Sequence, residues 1–326
     1  MKVLLVSNQV FEDGRVTNPI LMRMRDSFIR DERIAKVELM PVDYSFSGMI
    51  RIRKAAKQSD IMHIHFGGLY ALAVWFFMLG IKTPKLITFH GTDIHAKSIK
   101  TAKSYFTKLK ILFNQYASFL SLLLFKRVGF VSEEMKSYIP KWLSNVVSKK
   151  AFLQPLGVDY HAFQIIEKDE AQKALGLKRN KYVLFSDISN SSIKRRDIAE
   201  SIVLAMCGRY ELLVMSGVEP KLVPLYINAV DFLLLTSDEE GSPNIIRECL
   251  ALNKPVFSVN VGDAAKQLQG LNNSSIIERD PSVAAETILD KMQLEYIDNT
   301  RDSLKDRLNF DCLNESIIKV YKDLIN

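Results

Sequence analysis

Short apolar runs, each too brief for a helix, alternate with stretches of helical spacing along the whole chain. In the first half the runs fall at residues 2–6, 37–42, 61–66, 86–89, 128–131 and 151–153, and in the second at 182–186, 211–216, 232–235, 256–259 and 276–277. Runs such as Phe232-Leu233-Leu234-Leu235 carry no polar alternation, so they read as strands buried on both faces. Helices are expected between them, at 17–30, 48–58, 69–79, 99–125, 199–207, 220–228, 244–251 and 264–268, with 281–292 and 312–325 closing the chain. Repeated strand–helix units of this kind build doubly wound parallel sheets.

At 326 residues the chain exceeds most single cores, and two domains are expected. The stretch 154–178, with Pro155, Gly157 and a charged run at 167–170, reads as the linker. This gives a first domain at 1–155, a second at 156–310 and a terminal helical segment at 311–326.

The most informative unit is 231–263, which reads strand, turn, helix, strand. Ser242 stands as N-cap, Pro243 opens the helix and Lys254-Pro255 stops it. The helix N-terminus then points to the carboxyl edge of a parallel sheet, where open α/β sheets bind ligands. Unpaired N–H groups there suit a phosphate. Glu240 and Glu248, with seven residues between them, flank that position, and carboxylates accept hydrogen bonds from sugar hydroxyls. A ligand with hydroxyls at both ends and phosphate between them has the layout of a nucleoside diphosphate sugar.

Glu240-Gly241-Ser242-Pro243-Asn244 with Glu248, followed by Pro255-Val256 and Val261-Gly262-Asp263, resembles the donor-site signature of glycosyltransferase family 4. The resemblance implies the GT-B fold, an α/β architecture of two Rossmann-like doubly wound parallel-sheet domains facing a cleft. It also implies retaining transfer of a sugar from a nucleotide donor. Under it, Glu248 contacts the ribose, while Glu240 and the segment Gly241, Ser242, Pro243, Asn244 and Ile245 contact the sugar. The motif Pro155-Leu156-Gly157-Val158-Asp159 is similar to the N-G-V-D that often opens the second domain, and the last helix is expected to cross back to the first.

Two loops depart from the family pattern. Where a Gly-Arg and a later Lys are usual, residues 186–196 keep only Lys194, Arg195 and Arg196, so Lys194 is assigned to the diphosphate and Arg195 or Arg196 to the missing Arg. Where a Gly-Gly pair is usual after the first strand, the chain offers Gly14 and Arg15. Gly217 is a further candidate beside the base. In the loop His90-Gly91-Thr92-Asp93 the resemblance puts His90 against the transferred sugar, and Asp93, His65 and Arg15 are candidates for the acceptor side. His63 and His65 share one strand face without a third metal ligand in sight, and His95 and His161 read as surface residues. No metal and no other cofactor is required.

Charge is uneven. Residues 1–155 carry a formal +13 and residues 156–326 a formal −6, which together make +7. The basic half points to an anionic surface, and an acceptor saccharide carried on a membrane lipid of a surface-polysaccharide pathway is expected. The apolar stretches 67–81 and 111–125 are shorter than a membrane span. Three scattered cysteines suit a reducing compartment, and 3–6 is too short for a signal peptide, so a cytoplasmic protein, peripheral on the inner membrane face, is expected. No nucleic-acid module is recognisable and no nucleic-acid partner is expected. The alternative is a non-catalytic binder of nucleotide sugars or polyanions with the same fold.

Overall fold

A computed structural model describes residues 1–9, 19–43, 45–91, 93–94, 104–187, 192–293 and 299–326. The chain forms two compact units, Met1–Leu156 with Leu313–Asn326, and Gly157–Cys312.

The first unit is built on six parallel strands: β1 (Lys2–Ser7), β2 (Lys36–Pro41), β3 (Ile61–His65), β4 (Lys85–Phe89), β5 (Arg127–Phe130) and β6 (Ala151–Leu153). Their order is β2-β1-β3-β4-β5-β6. Leu4, Leu5 and Val6 are wholly buried, as expected of a strand covered on both faces. Because β1 lies between β2 and β3, the winding reverses there, and Ser7 and His65 are register partners at the carboxyl edge of that reversal. The final helix Phe310–Ile325 sets Tyr321 edge-on to Phe28, ring centroids 6.0 Å apart, and Asn314 Nδ2 donates to Ser27 Oγ at 2.9 Å.

The second unit has five parallel strands: β7 (Tyr182–Ser186), β8 (Glu211–Met215), β9 (Phe232–Leu235), β10 (Val256–Ser258) and β11 (Ser275–Ile276), in the order β11-β10-β9-β7-β8. The same reversal recurs, here between β7 and β9. Its entry is pinned by Val158, whose N–H donates to Leu308 O at 2.6 Å and whose carbonyl accepts from Phe310 N at 3.1 Å. Gly157 passes so close to Phe310 that a Cβ would sit 2.9 Å from backbone atoms.

Several boundaries differ from the sequence reading. The helix expected at 48–58 runs Phe46–Lys57, because Ser45 Oγ accepts from Gly48 N and caps it two residues earlier. The stretch read as linker contains a helix, Lys168–Ala174, and Lys141–Ser148 is a helix that the reading omitted. The helix expected at 99–125 is described as Tyr105–Leu124, residues 95–103 lying outside the described residues.

Candidate active site

In the second unit the winding reversal is where two distant loops meet. The chain leaves β7, forms a 3-10 turn at Ser192–Lys194, and enters the helix Arg196–Ala205 through Arg195, which adopts the left-handed conformation at φ 54°. The turn after β9 holds it in place. Thr236 Oγ1 donates to the carbonyls of Lys194 and Arg195 at 3.0 and 2.9 Å, and Asp238 N donates to Ile193 O at 2.8 Å. Lys194 Nζ is thereby brought to Glu240 Oε1 at 2.5 Å, and Ser237 Oγ donates to the same oxygen at 2.9 Å. Two residues 46 positions apart, picked separately from sequence as diphosphate and sugar ligands, form one contact.

The neighbouring cations are also paired with carboxylates. Arg195 forms two hydrogen bonds to Asp197, at 3.0 and 2.8 Å, and Arg196 Nε donates to Glu200 at 2.8 Å. Arg279, which the sequence reading missed, donates to the carbonyls of Thr236 and Ser237 at 3.1 and 3.0 Å and pairs with Asp238 at 3.0 Å. It fixes the backbone from which Glu240 is presented. Nothing near Arg279 in sequence marks it, because its partners are carbonyls more than forty residues away.

The helix after this turn is Asn244–Leu250, and Pro243, read as opening it, is the extended residue before it. Ser242 is therefore not the N-cap. Its hydroxyl donates to Asp263 Oδ2 at 2.6 Å and also receives a hydrogen bond from Arg247. Arg247 donates to Asn244 Oδ1 at 3.0 Å as well, and Gln267 Nε2 donates to Asp263 Oδ1 at 2.6 Å. Burial pushes the Arg247 pKa down, against the pull of Asp263 and Glu248. This buried cluster locks the first turn of the helix to the loop after β10. Gly262 completes the contact: at φ 56° it lies so close that a Cβ would sit 2.5 Å from Gly241 O. Ile245 and Ile246 follow Asn244 in the first turn, and Glu248 lies further along the helix, buried at 7% exposure. Gly217, left-handed at φ 63° just after β8, faces open space.

In the first unit, three histidines gather at the carboxyl edge of β3 and β4. The His63 and His65 rings lie 4.1 Å apart between centroids, tilted by 30°, and His65 Nδ1 lies 3.1 Å from His90 Nε2. His90 in turn stacks on Phe66 at 4.1 Å. Asp93, the last residue of the H-G-x-D loop, accepts from the N–H groups of Gly67 at 2.8 Å, Gly91 at 2.8 Å and His90 at 3.0 Å. It thus ties the loop after β4 to the loop after β3. Burial pushes its carboxyl above the usual range while those three donors act the other way. Asp93 is a loop-fixing residue, a role the sequence reading did not give it.

His63 does not point to a metal, because both its nitrogens are engaged. Thr88 Oγ1 donates to Gln154 Oε1 at 2.6 Å, so it must accept from His63 Nε2, 2.8 Å away. Nδ1 then accepts from Tyr321 Oη at 2.7 Å. The relay fixes His63 as the neutral Nε2–H tautomer and joins the last helix to the sheet. Among the described residues no group of three His, Cys, Asp or Glu could hold a metal ion. His161 is an exposed residue 3.3 Å from Asp311. Gly14, Arg15 and His95 lie outside the described residues.

Burial lowers the pKa of His63 to about 3 and of His90 to about 3, and holds His65 well below its ordinary value. A neutral buried histidine takes up a proton on unfolding once the pH is below about 6.5. Stability is therefore full above that pH and declines as the pH falls toward 3, by about 1.4 kcal/mol per pH unit for His63 alone. Thermal midpoints measured from pH 7.5 to pH 4.5 are expected to fall steadily below 6.5, and less steeply in His63→Gln; equal slopes contradict this. Tyr321→Phe, which strands His63 Nδ1, is expected to lower stability by about 1–3 kcal/mol.

No protein-family model matches the chain, and no curated protein matches it in sequence. Solved structures do. Sucrose-phosphate synthase from Thermosynechococcus elongatus superposes with a TM-score of 0.73 at 15% identity, covering 99% of this chain and 98% of that one. Anabaena HepE, crystallised with UDP and glucose, gives 0.69 at 14% identity over 98% and 99%. A glycosyltransferase from Rickettsia africae gives 0.66 at 12% identity over 100% and 98%. With its two parallel sheets wound in the same sense, the chain has the two-domain Rossmann-like fold of the GT-B glycosyltransferases.

Proposed function

We propose that the protein is a retaining glycosyltransferase, similar to family 4, that moves a hexosyl group from a nucleoside diphosphate sugar to a hydroxyl of a saccharide acceptor. The observation that carries this reading is the contact of Lys194 with Glu240 at the winding reversal of the second sheet, 2.5 Å apart. That position is the ligand-binding edge of open α/β sheets. Similarity of fold to HepE, crystallised with UDP-glucose, supports a nucleotide sugar as donor.

The resemblance to family 4 assigns each residue its task. Glu248, on the helix behind the turn, accepts from the ribose hydroxyls. Glu240 and the backbone of residues 241–245 receive the sugar, and Gly217 leaves room for the base. Lys194 exchanges Glu240 for the diphosphate as charge develops on it. The acceptor oxygen attacks the anomeric carbon on the side the diphosphate leaves, the carbon–oxygen bond to phosphate breaks, and a diphosphate oxygen takes the acceptor's proton. No protein nucleophile takes part, and no metal is assigned a step. Arg195 or Arg196 adds positive charge once released from Asp197 or Glu200. The family resemblance assigns His90 to the transferred sugar, with His65 as a candidate for the acceptor side. The formal +13 of residues 1–155 supports an acceptor presented on a lipid at an anionic membrane face, in surface-polysaccharide assembly.

One observation favours a second reading, a nucleotide-sugar binder without turnover: Lys194, Arg195 and Arg196 are all paired with carboxylates. Nucleotide binding separates neither reading from the other but tests both. UDP, GDP and ADP are each added, and one of them is expected to raise the melting temperature of wild type. In Glu248→Ala its affinity is expected to fall about tenfold to a hundredfold, the loss of hydrogen bonds to a charged acceptor. No shift with any nucleotide contradicts both readings, while a shift without turnover leaves the second.

A further inference from the structure

The helix Tyr105–Leu124 buries Ala117, Ser118, Ser121 and Leu122. Its opposite side is apolar and exposed. Phe106, Leu109, Phe113, Tyr116, Leu120 and Leu123 follow at alternating intervals of three and four, with Phe106 79%, Tyr116 64% and Phe113 57% exposed. At about 1.5 Å per residue the stripe runs for roughly 26 Å. The adjoining helix Lys141–Ser148 buries Leu143 and Val147 and exposes Trp142 and Val146. A soluble surface seldom leaves such a stripe uncovered.

Charge indicates what covers it. Lys108 and Lys110 each stand about 100° around the helix from Leu109, one on either side of the stripe. Lys126, Lys141 and Lys149 are exposed nearby. Between Asp60 and Glu133 the sequence holds a single acidic residue, Asp93, and it is buried among backbone donors. A second copy would bring lysines against lysines. An anionic bilayer takes the aromatic side chains at the acyl boundary and the lysines at the headgroups. No helix of the described residues is long and apolar enough to cross a membrane. We propose that this face of helices Tyr105–Leu124 and Lys141–Ser148 lies on the anionic surface of a lipid bilayer. The assignment rests on the transferase reading only for its purpose, which is to hold the enzyme where a lipid-carried acceptor lies.

The test is cosedimentation of the full chain with vesicles of phosphatidylcholine and of an equal mixture with phosphatidylglycerol. Binding is expected for the mixture, weakened by salt. Phe106→Ser and Phe113→Ser should each lower partitioning about tenfold or more. Lys108→Gln and Lys110→Gln should each lower it about fivefold. These side chains are exposed, so the variants should keep the wild-type melting temperature. Absence of binding to the mixture, or binding unaltered in the phenylalanine variants, overturns the proposal. So does a concentration-dependent dimer that the same variants dissociate, which would assign the face to a second copy. Nucleoside diphosphate release without lipid reports on the transferase reading separately. Release without vesicle binding defeats only this proposal, and vesicle binding without release defeats only the transferase.

Discussion

Lys194→Ala is expected to lower turnover about 10²- to 10³-fold, the scale set by removing one donor aimed at developing charge. Lys194 is held by a turn whose carbonyls accept from Thr236 and whose Ile193 carbonyl accepts from Asp238, so the ammonium is positioned before any donor arrives. Its present partner, Glu240, also receives Ser237, and the carboxylate does not depend on the lysine alone. Negative charge grows on the diphosphate as the sugar departs, and the lysine meets more charge in the transition state than in the bound donor. The loss should therefore appear mainly in kcat, with a smaller change in KM. Lys194→Arg should recover part of it. A variant with unaltered kcat and a raised KM would show that Lys194 only binds.

The second large effect is expected at Gly262. A Cβ there meets Gly241 O at 2.5 Å and Glu240 O at 3.1 Å, both backbone atoms that cannot rotate away. The left-handed backbone adds about 1–2 kcal/mol for any residue with a side chain. Gly262→Ala must therefore push the 240–241 turn aside, and a displacement near 1 Å costs as much as about a hundredfold in turnover. Gly208 is the control: it is left-handed at φ 74°, with open space where its Cβ would lie. Gly208→Ala should lower the melting temperature modestly and leave transfer intact. Similar loss in both variants would mean that the close approach at Gly262 has no part in shaping the site.

What could be read from the sequence was whatever a short window determines. Strands buried on both faces announce themselves as unbroken apolar runs, and β6, β7 and β9 fall on the residues expected. The helix Lys168–Ala174 escaped because its sequence is almost wholly polar, with only Ala171 and Gln172 buried. Ser242 misled for a different reason. Serine before Pro243 has the form of an N-cap, but its hydroxyl is taken by Arg247 and by Asp263, a partner 21 residues away that the fold brings near.

The site shows the same division. Glu240, Glu248 and Lys194 were visible as residue types at characteristic spacings, yet no spacing reveals that Lys194 and Glu240 touch. Arg279 and Thr236 were invisible because they work on carbonyls, which every residue has. Tyr321 sits 258 residues from the histidine whose tautomer it fixes. Asp93 was legible as a loop carboxylate, and its three N–H donors emerge only when the loops after β3 and β4 lie side by side.

The most direct measurement is nucleoside diphosphate release from UDP-, GDP- and ADP-sugars, with and without membrane lipid extract, by wild type and by Glu240→Ala. Release from one donor that rises with extract and collapses in the variant is the predicted result. Release from none of them, or equal release by both proteins, contradicts sugar transfer at the Lys194–Glu240 site.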